Sequence, residues 1–87
     1  EQSAVSSWEI NEAFASVTVA AVKALDLDPE TVNVNGSGCS LGHPIGCTGA
    51  RMIVTMMNEL ERTDSRYGVV AMCAAGGMGS ATVVERI

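Results

Sequence analysis

The chain has 87 residues, 47% of them hydrophobic, enough for one modest core and for one domain or part of one. Its net charge of −5, with Lys23, Arg51, Arg62, Arg66 and Arg86 scattered along the chain, argues against nucleic acid and anionic membrane surfaces as partners. No run approaches the roughly 18 uninterrupted apolar residues that a membrane-crossing helix needs, because Lys23, Asp26, Asp28 and Glu30 close the longest apolar region.

Cys39, Cys47 and Cys73 are an odd number of cysteines in a sequence rich in Ala, Val and Met. That usage fits a reducing, intracellular setting better than a secreted disulfide scaffold. Residue 1 is Glu and no charged-then-apolar leader follows, so a removed amino terminus, with any sorting signal, is the expectation.

Along the chain, Ile10, Ala13, Phe14, Val17, Ala21, Ala24 and Leu25 follow helical spacing, which predicts a helix over 10–25 with one buried face, stopped by Pro29. Thr31-Val-Asn-Val-Asn35 alternates with period two between Pro29 and Gly36 and predicts a brief strand. Residues 36–49 hold Gly36, Gly38, Gly42, Pro44, Gly46 and Gly49, too many breakers for a regular element. Their Cys, Leu, Ile and His side chains mark a structured loop rather than a solvated linker.

A second helix is expected from about Thr48, its candidate cap, to Asp64, with Ala50, Ile53, Met56, Met57 and Leu60 on the buried face. Val69-Val-Ala-Met-Cys73 and Ser80-Ala-Thr-Val-Val84, separated by Gly76, Gly77 and Gly79, predict a hairpin buried on both faces. The expected order is helix, strand, helix, strand, strand, in a layered α/β fold with helices against a mixed sheet.

Two loops concentrate the chemistry. His43 lies between Gly42 and Pro44, where the proline limits how the loop relaxes and the glycine allows close approach. Cys73 ends an apolar run and enters a glycine turn whose backbone N–H groups could cradle an oxyanion. Taken singly, His43 also reads as a histidine bonding its own loop, Cys73 as a small buried hydrophobe, and Asn11 as a helix N-cap. Cys39, His43 and Cys47, spaced four apart, would form a permitted zinc set with Cys73, although structural zinc loops more often use Cys-x2-Cys pairs. Gly42-His-Pro-Ile-Gly46 is like an anion cradle, but no Gly-Lys-Ser/Thr follows.

Asn11-Glu-Ala-Phe14, the run from Asn33 through Gly42-His43-Pro44 to Arg51, and Cys73-Ala-Ala-Gly-Gly-Met-Gly79 occur in the order and at the separations seen in thiolases. From about Trp8 to its end the chain resembles the carboxy-terminal part of that family, one unit over residues 1–87. The resemblance implies a thiolase-like fold, in which two βαβαβαββ halves sandwich central helices, with this chain ending the second half. It also implies an acyl-CoA acyltransferase that makes acetoacetyl-CoA from acetyl-CoA or cleaves 3-oxoacyl-CoA with coenzyme A, through an acyl-cysteine.

In that scheme His43 activates the nucleophilic cysteine and later lines an oxyanion site completed by a water on Asn11. Cys73 exchanges the α-proton, the backbone N–H of Ala75 stabilises the tetrahedral intermediate, and Ala13 and Phe14 face the pantetheine. The usual family motif has glycine where Ala75 stands, a change that spares the backbone donor, and the Ala-Ala form is similar to branches acting on longer acyl chains. Neither Cys39 nor Cys47 sits in the nucleophile's context, so the resemblance implies a missing amino-terminal half that supplies it. Coenzyme A would be substrate rather than cofactor, with no metal, no nucleic acid and no membrane. A homodimer or homotetramer in cytoplasm, mitochondrion or peroxisome would be the setting. The alternative is a non-catalytic lipid-carrier or assembly domain on the same fold.

Overall fold

The computed structural model describes residues 1–87. Its elements are β1 (Val5–Ile10), α1 (Ala15–Leu25), α2 (Gly38–Leu41), α3 (Thr48–Arg62), β2 (Tyr67–Ala74) and β3 (Met78–Glu85). The three strands form one sheet in the order β1-β2-β3. β1 runs parallel to β2, with Trp8 opposite Val69 and Ile10 opposite Ala71, and β2 and β3 are an antiparallel hairpin. The expected α/β class with a mixed sheet is what the chain forms.

Two local expectations are corrected. Residues 5–10 are a strand, and the first helix begins only at Ala15, with Phe14 rather than Asn11 at its N-cap. The strand leaves no apolar alternation to read because its buried positions include Ser7, Glu9 and Asn11, alternate residues that share one face. The brief strand expected at 31–35 shrinks to a single bridge between Val32 and Trp8. Asn33 takes over from there in a left-handed conformation, φ 50°. Its backbone N–H donates to Trp8 O at 2.8 Å. Its side chain accepts from the Ile10 N–H at 2.8 Å and donates to Ile10 O at 2.9 Å. The amide of Asn33 thus stands in for a strand's peptide group along the edge of β1, satisfying backbone groups that would otherwise lie open.

α3 lies on β1 and β2 and builds the core, in which Met52, Met56 and Leu60 meet Val70, with Ile53 and Val84 partly buried beside them. Its buried seam is Thr48, Met52, Met56, Glu59 and Leu60, whereas Ala50 and Met57 of the expected face stand in solvent. Glu59 tolerates burial because Arg62 donates to it at 2.6 and 3.0 Å and Asn35 at 3.0 Å. Those bonds, Arg62's first, hold its carboxyl below the usual carboxylate value.

The hairpin is not buried on both faces: only Val84 of β3 is even half-buried. α1 likewise contains no buried residue. Phe14, Val19, Leu25, Met78 and Val83 are large apolar side chains in solvent, more than a stable lone domain usually leaves open. The isolated 87-residue chain is therefore expected to self-associate or to melt broadly. A sharp two-state thermal transition of a monomer, followed by circular dichroism and sedimentation, would contradict this.

Candidate active site

Three backbone features bring the chemistry to one end of the sheet. Parallel pairing carries β1 alongside β2, and the Asn11 N–H continues it by donating to Ala71 O at 2.9 Å. Asn11 therefore stands beside the stretch of β2 that leads into Cys73. The two residues line one open cleft of about 360 Å³ with Ile10, Val17, Met72 and Gly79. Gly38 lets the 36–42 loop press on this strand end, since a Cβ there would lie 2.8 Å from Glu12 O and 3.5 Å from Asn11 Oδ1.

The third member arrives from the loop. His43 Nε2 is 3.4 Å from Asn11 Nδ2, and His43 Nδ1 is 2.7 Å from Thr48 Oγ1. Thr48 has one hydroxyl proton, and it is donated to Pro44 O at 3.0 Å. Thr48 must then accept from Nδ1–H, which in the neutral ring leaves the lone pair on Nε2. Asn11 Nδ2 donates to that lone pair, so the hydrogen-bond directions are mutually consistent. Asn11, 1% exposed, keeps a buried Oδ1 with no protein partner. The His43 ring itself is exposed and reachable.

Asn11 is therefore the link between the two loops, in contact with His43 and sharing the cleft of Cys73. Ala75 opens a short turn, Ala75–Gly77, that joins β2 to β3. Gly76 and Gly77 hold φ of 78° and 77°, left-handed values that suit glycine. Ala13 is half-buried and Phe14 is 76% exposed; neither lines the Cys73 cleft. Cys39, Cys47 and Cys73 are all free and exposed, and no three His, Cys, Asp or Glu side chains converge on a point that could hold a metal ion, so the zinc set is not assembled.

Thr48 is the site residue that sequence reasoning misplaced. The N-cap of α3 is Cys47, and the Thr48 hydroxyl is engaged by His43 and Pro44 instead. Thr48→Ser in the complete enzyme should keep most activity. Thr48→Val, which orphans the Nδ1–H and frees the ring, should lower kcat roughly 5- to 150-fold, the equivalent of about 1–3 kcal/mol. Equal kcat in the two variants would remove Thr48 from the site.

Fold and site together define a mixed-sheet α/β domain that gathers a thiol, an imidazole and an amide at one end of its strands. Over residues 1–86 the chain matches the family described as thiolase, C-terminal domain, and it belongs to the thiolase family. It is 56% identical over 81 residues to the peroxisomal 3-ketoacyl CoA thiolase 1 of Petunia hybrida, covering 91% of this chain and 18% of that protein. It is 57% identical over 79 residues to the beta-ketothiolase BktB of Cupriavidus necator, covering 91% and 20%. The crystal structure of the Bacillus anthracis acetyl-CoA acetyltransferase superposes with a TM-score of 0.95 at 49% identity, over all of this chain and 22% of that one. The chain thus spans about a fifth of the length of the relatives it matches.

Proposed function

We propose that this chain supplies the acid/base and oxyanion part of a thiolase active site, acting on acyl-CoA substrates through an acyl-cysteine whose nucleophile comes from an amino-terminal half. The observation that carries this reading is the Asn11–His43 contact, made at Nε2 while Thr48 holds Nδ1, beside the cleft that holds Cys73. His43 Nε2 takes the proton of the nucleophilic cysteine as that thiol attacks the acyl-CoA; the same nitrogen, when protonated, donates to the oxygen of the bound thioester. Asn11 keeps an unpaired Oδ1 and so can order a water next to it.

Cys73 removes or returns the α-proton of the acyl group, since carbon–carbon bond making and breaking both pass through a carbanion next to a thioester. The Ala75 N–H, at the start of the glycine turn, aids the tetrahedral intermediate of acyl transfer. Ala13 and Phe14 flank the pantetheine of coenzyme A, which is a substrate. The exposed faces of α1 and β3 are the surfaces that the amino-terminal half and a second subunit would cover, in a dimer or tetramer. One of the relatives is named as peroxisomal, and no helix here is long and apolar enough to cross a membrane. The cytoplasm, mitochondrion or peroxisome is the proposed setting.

The test is an assay of the complete polypeptide with acetoacetyl-CoA and with longer 3-oxoacyl-CoA esters, with and without coenzyme A. Coenzyme A-dependent cleavage, with an acyl group trapped on a cysteine outside residues 1–87, is expected. Absence of cleavage at every chain length, or no such cysteine, would overturn the reading.

A further inference from the structure

A partly buried ion pair close in sequence to Asn11 and Thr48 takes no part in the steps above. Glu9 is 2% exposed on β1, and its Oε1 lies 3.3 Å from Arg51 Nη1 on α3. Arg51 Nη1 is also 3.2 Å from Thr55 Oγ1, and its Nη2 is buried without a partner. Burial pushes the Glu9 carboxyl up to about 7 against the pull of Arg51. Such a pair is a poor source of stability, because the cost of desolvating two charges offsets their attraction and apolar side chains often serve as well.

Its position suggests another use. Glu9 stands two residues before Asn11 on the same strand face, and Arg51 follows Thr48 by three residues, one turn along α3. The pair is the one side-chain hydrogen bond joining α3 to β1. Along the edge of β1 away from β2 the Asn33 amide fixes the strand to its own loop and does not reach α3. A slip of α3 along β1 would carry Thr48 and the His43 ring away from Asn11, and that contact, at 3.4 Å, has little length to spare.

We infer that Glu9 and Arg51 are positioning residues, a polar lock that sets the register of α3 on β1 and so holds His43 against Asn11. The inference rests on the thiolase reading for its kinetic readout alone. In the complete enzyme, Glu9→Leu/Arg51→Met removes both charges and leaves only the half-buried Thr55 hydroxyl without its side-chain partner. It should keep wild-type stability to denaturant and wild-type KM while kcat falls roughly ten- to a hundredfold, the usual effect of losing an outer support. Glu9→Gln, which still offers Arg51 an acceptor, should restore most of kcat. Should the double variant fail to fold, Arg51→Gln, too short to reach Glu9, is expected to show the same split between kcat and KM. Wild-type kcat in the folded double variant, or in Arg51→Gln, overturns the inference.

A crystal structure of the same variant separates this outcome from failure of the thiolase reading. A wild-type protein without 3-oxoacyl-CoA turnover defeats that reading, yet the Asn11 Nδ2–His43 Nε2 separation still decides the lock. Lengthening well beyond 3.4 Å supports it. An unchanged separation overturns it, whatever the activity.

Discussion

Cys73→Ser in the complete enzyme is expected to lower turnover roughly 10²- to 10⁴-fold, the range spanned by a lost acid/base group, while leaving the amount of folded protein unchanged. The fold should not notice the change: Cys73 is exposed at the end of β2, opposite Gly79, and serine fits the same extended backbone. The chemistry should notice it strongly, because a hydroxyl holds its proton much more tightly than a thiol and cannot take up and return the α-proton at neutral pH. Exchange of the acetyl-CoA methyl protons with solvent deuterium, followed by NMR, should disappear in parallel with condensation. Acylation of the nucleophile, which in the proposed scheme needs His43 rather than Cys73, should persist. Near-wild-type turnover would remove Cys73 from its role, and equal loss of exchange and acylation would assign it to cleft shape instead of proton transfer.

The parts of this fold that the sequence announces are those where side-chain polarity and burial agree. Apolar runs separated by Gly76 and Gly77 give the β2–β3 hairpin, and the helix that begins near Thr48 is plain from its spacing. β1 hides because its buried face carries Ser7, Glu9 and Asn11, a polar stripe that a solvent-facing loop would also show. The alternation at 31–35 is real, but a left-handed Asn33 converts it into a side-chain clamp, which no period-two pattern distinguishes from a strand. On α3 the seam turns toward Thr48, Met52 and Glu59 because the polar members have partners waiting, Pro44 and His43 for Thr48 and Arg62 and Asn35 for Glu59. Three ordered motifs single out Asn11, His43 and Cys73, which the fold brings to one end of the sheet, whereas single residues gave Asn11 as a cap and Thr48 as a cap, both displaced by tertiary hydrogen bonds. Places where sequence rules and structure part company are where function is often found; here they are Glu9, Asn11 and Thr48.

His43→Ala should also lower kcat by roughly 10²- to 10⁴-fold, and its coupling to Thr48 makes the expectation more demanding than the size of the loss. Removing the ring leaves Thr48 Oγ1 still donating to Pro44 O, so the loop and the start of α3 retain their main tie. Asn11 loses one partner at a buried amide, a stability cost of about 1 kcal/mol. Thr48→Val acts differently: it keeps the imidazole but removes the acceptor that fixes the Nδ1–H tautomer, so part of the base remains available. If Thr48 works only through His43, then Thr48→Val should slow the wild-type enzyme yet do almost nothing to the His43→Ala enzyme, a non-additivity that a double-mutant cycle measures directly. Purified variants, assayed at saturating acetoacetyl-CoA and coenzyme A with folding checked by circular dichroism, supply the four rates. An additive cycle would mean that Thr48 supports α3 rather than the base, and the tautomer assigned to His43 would lose its anchor.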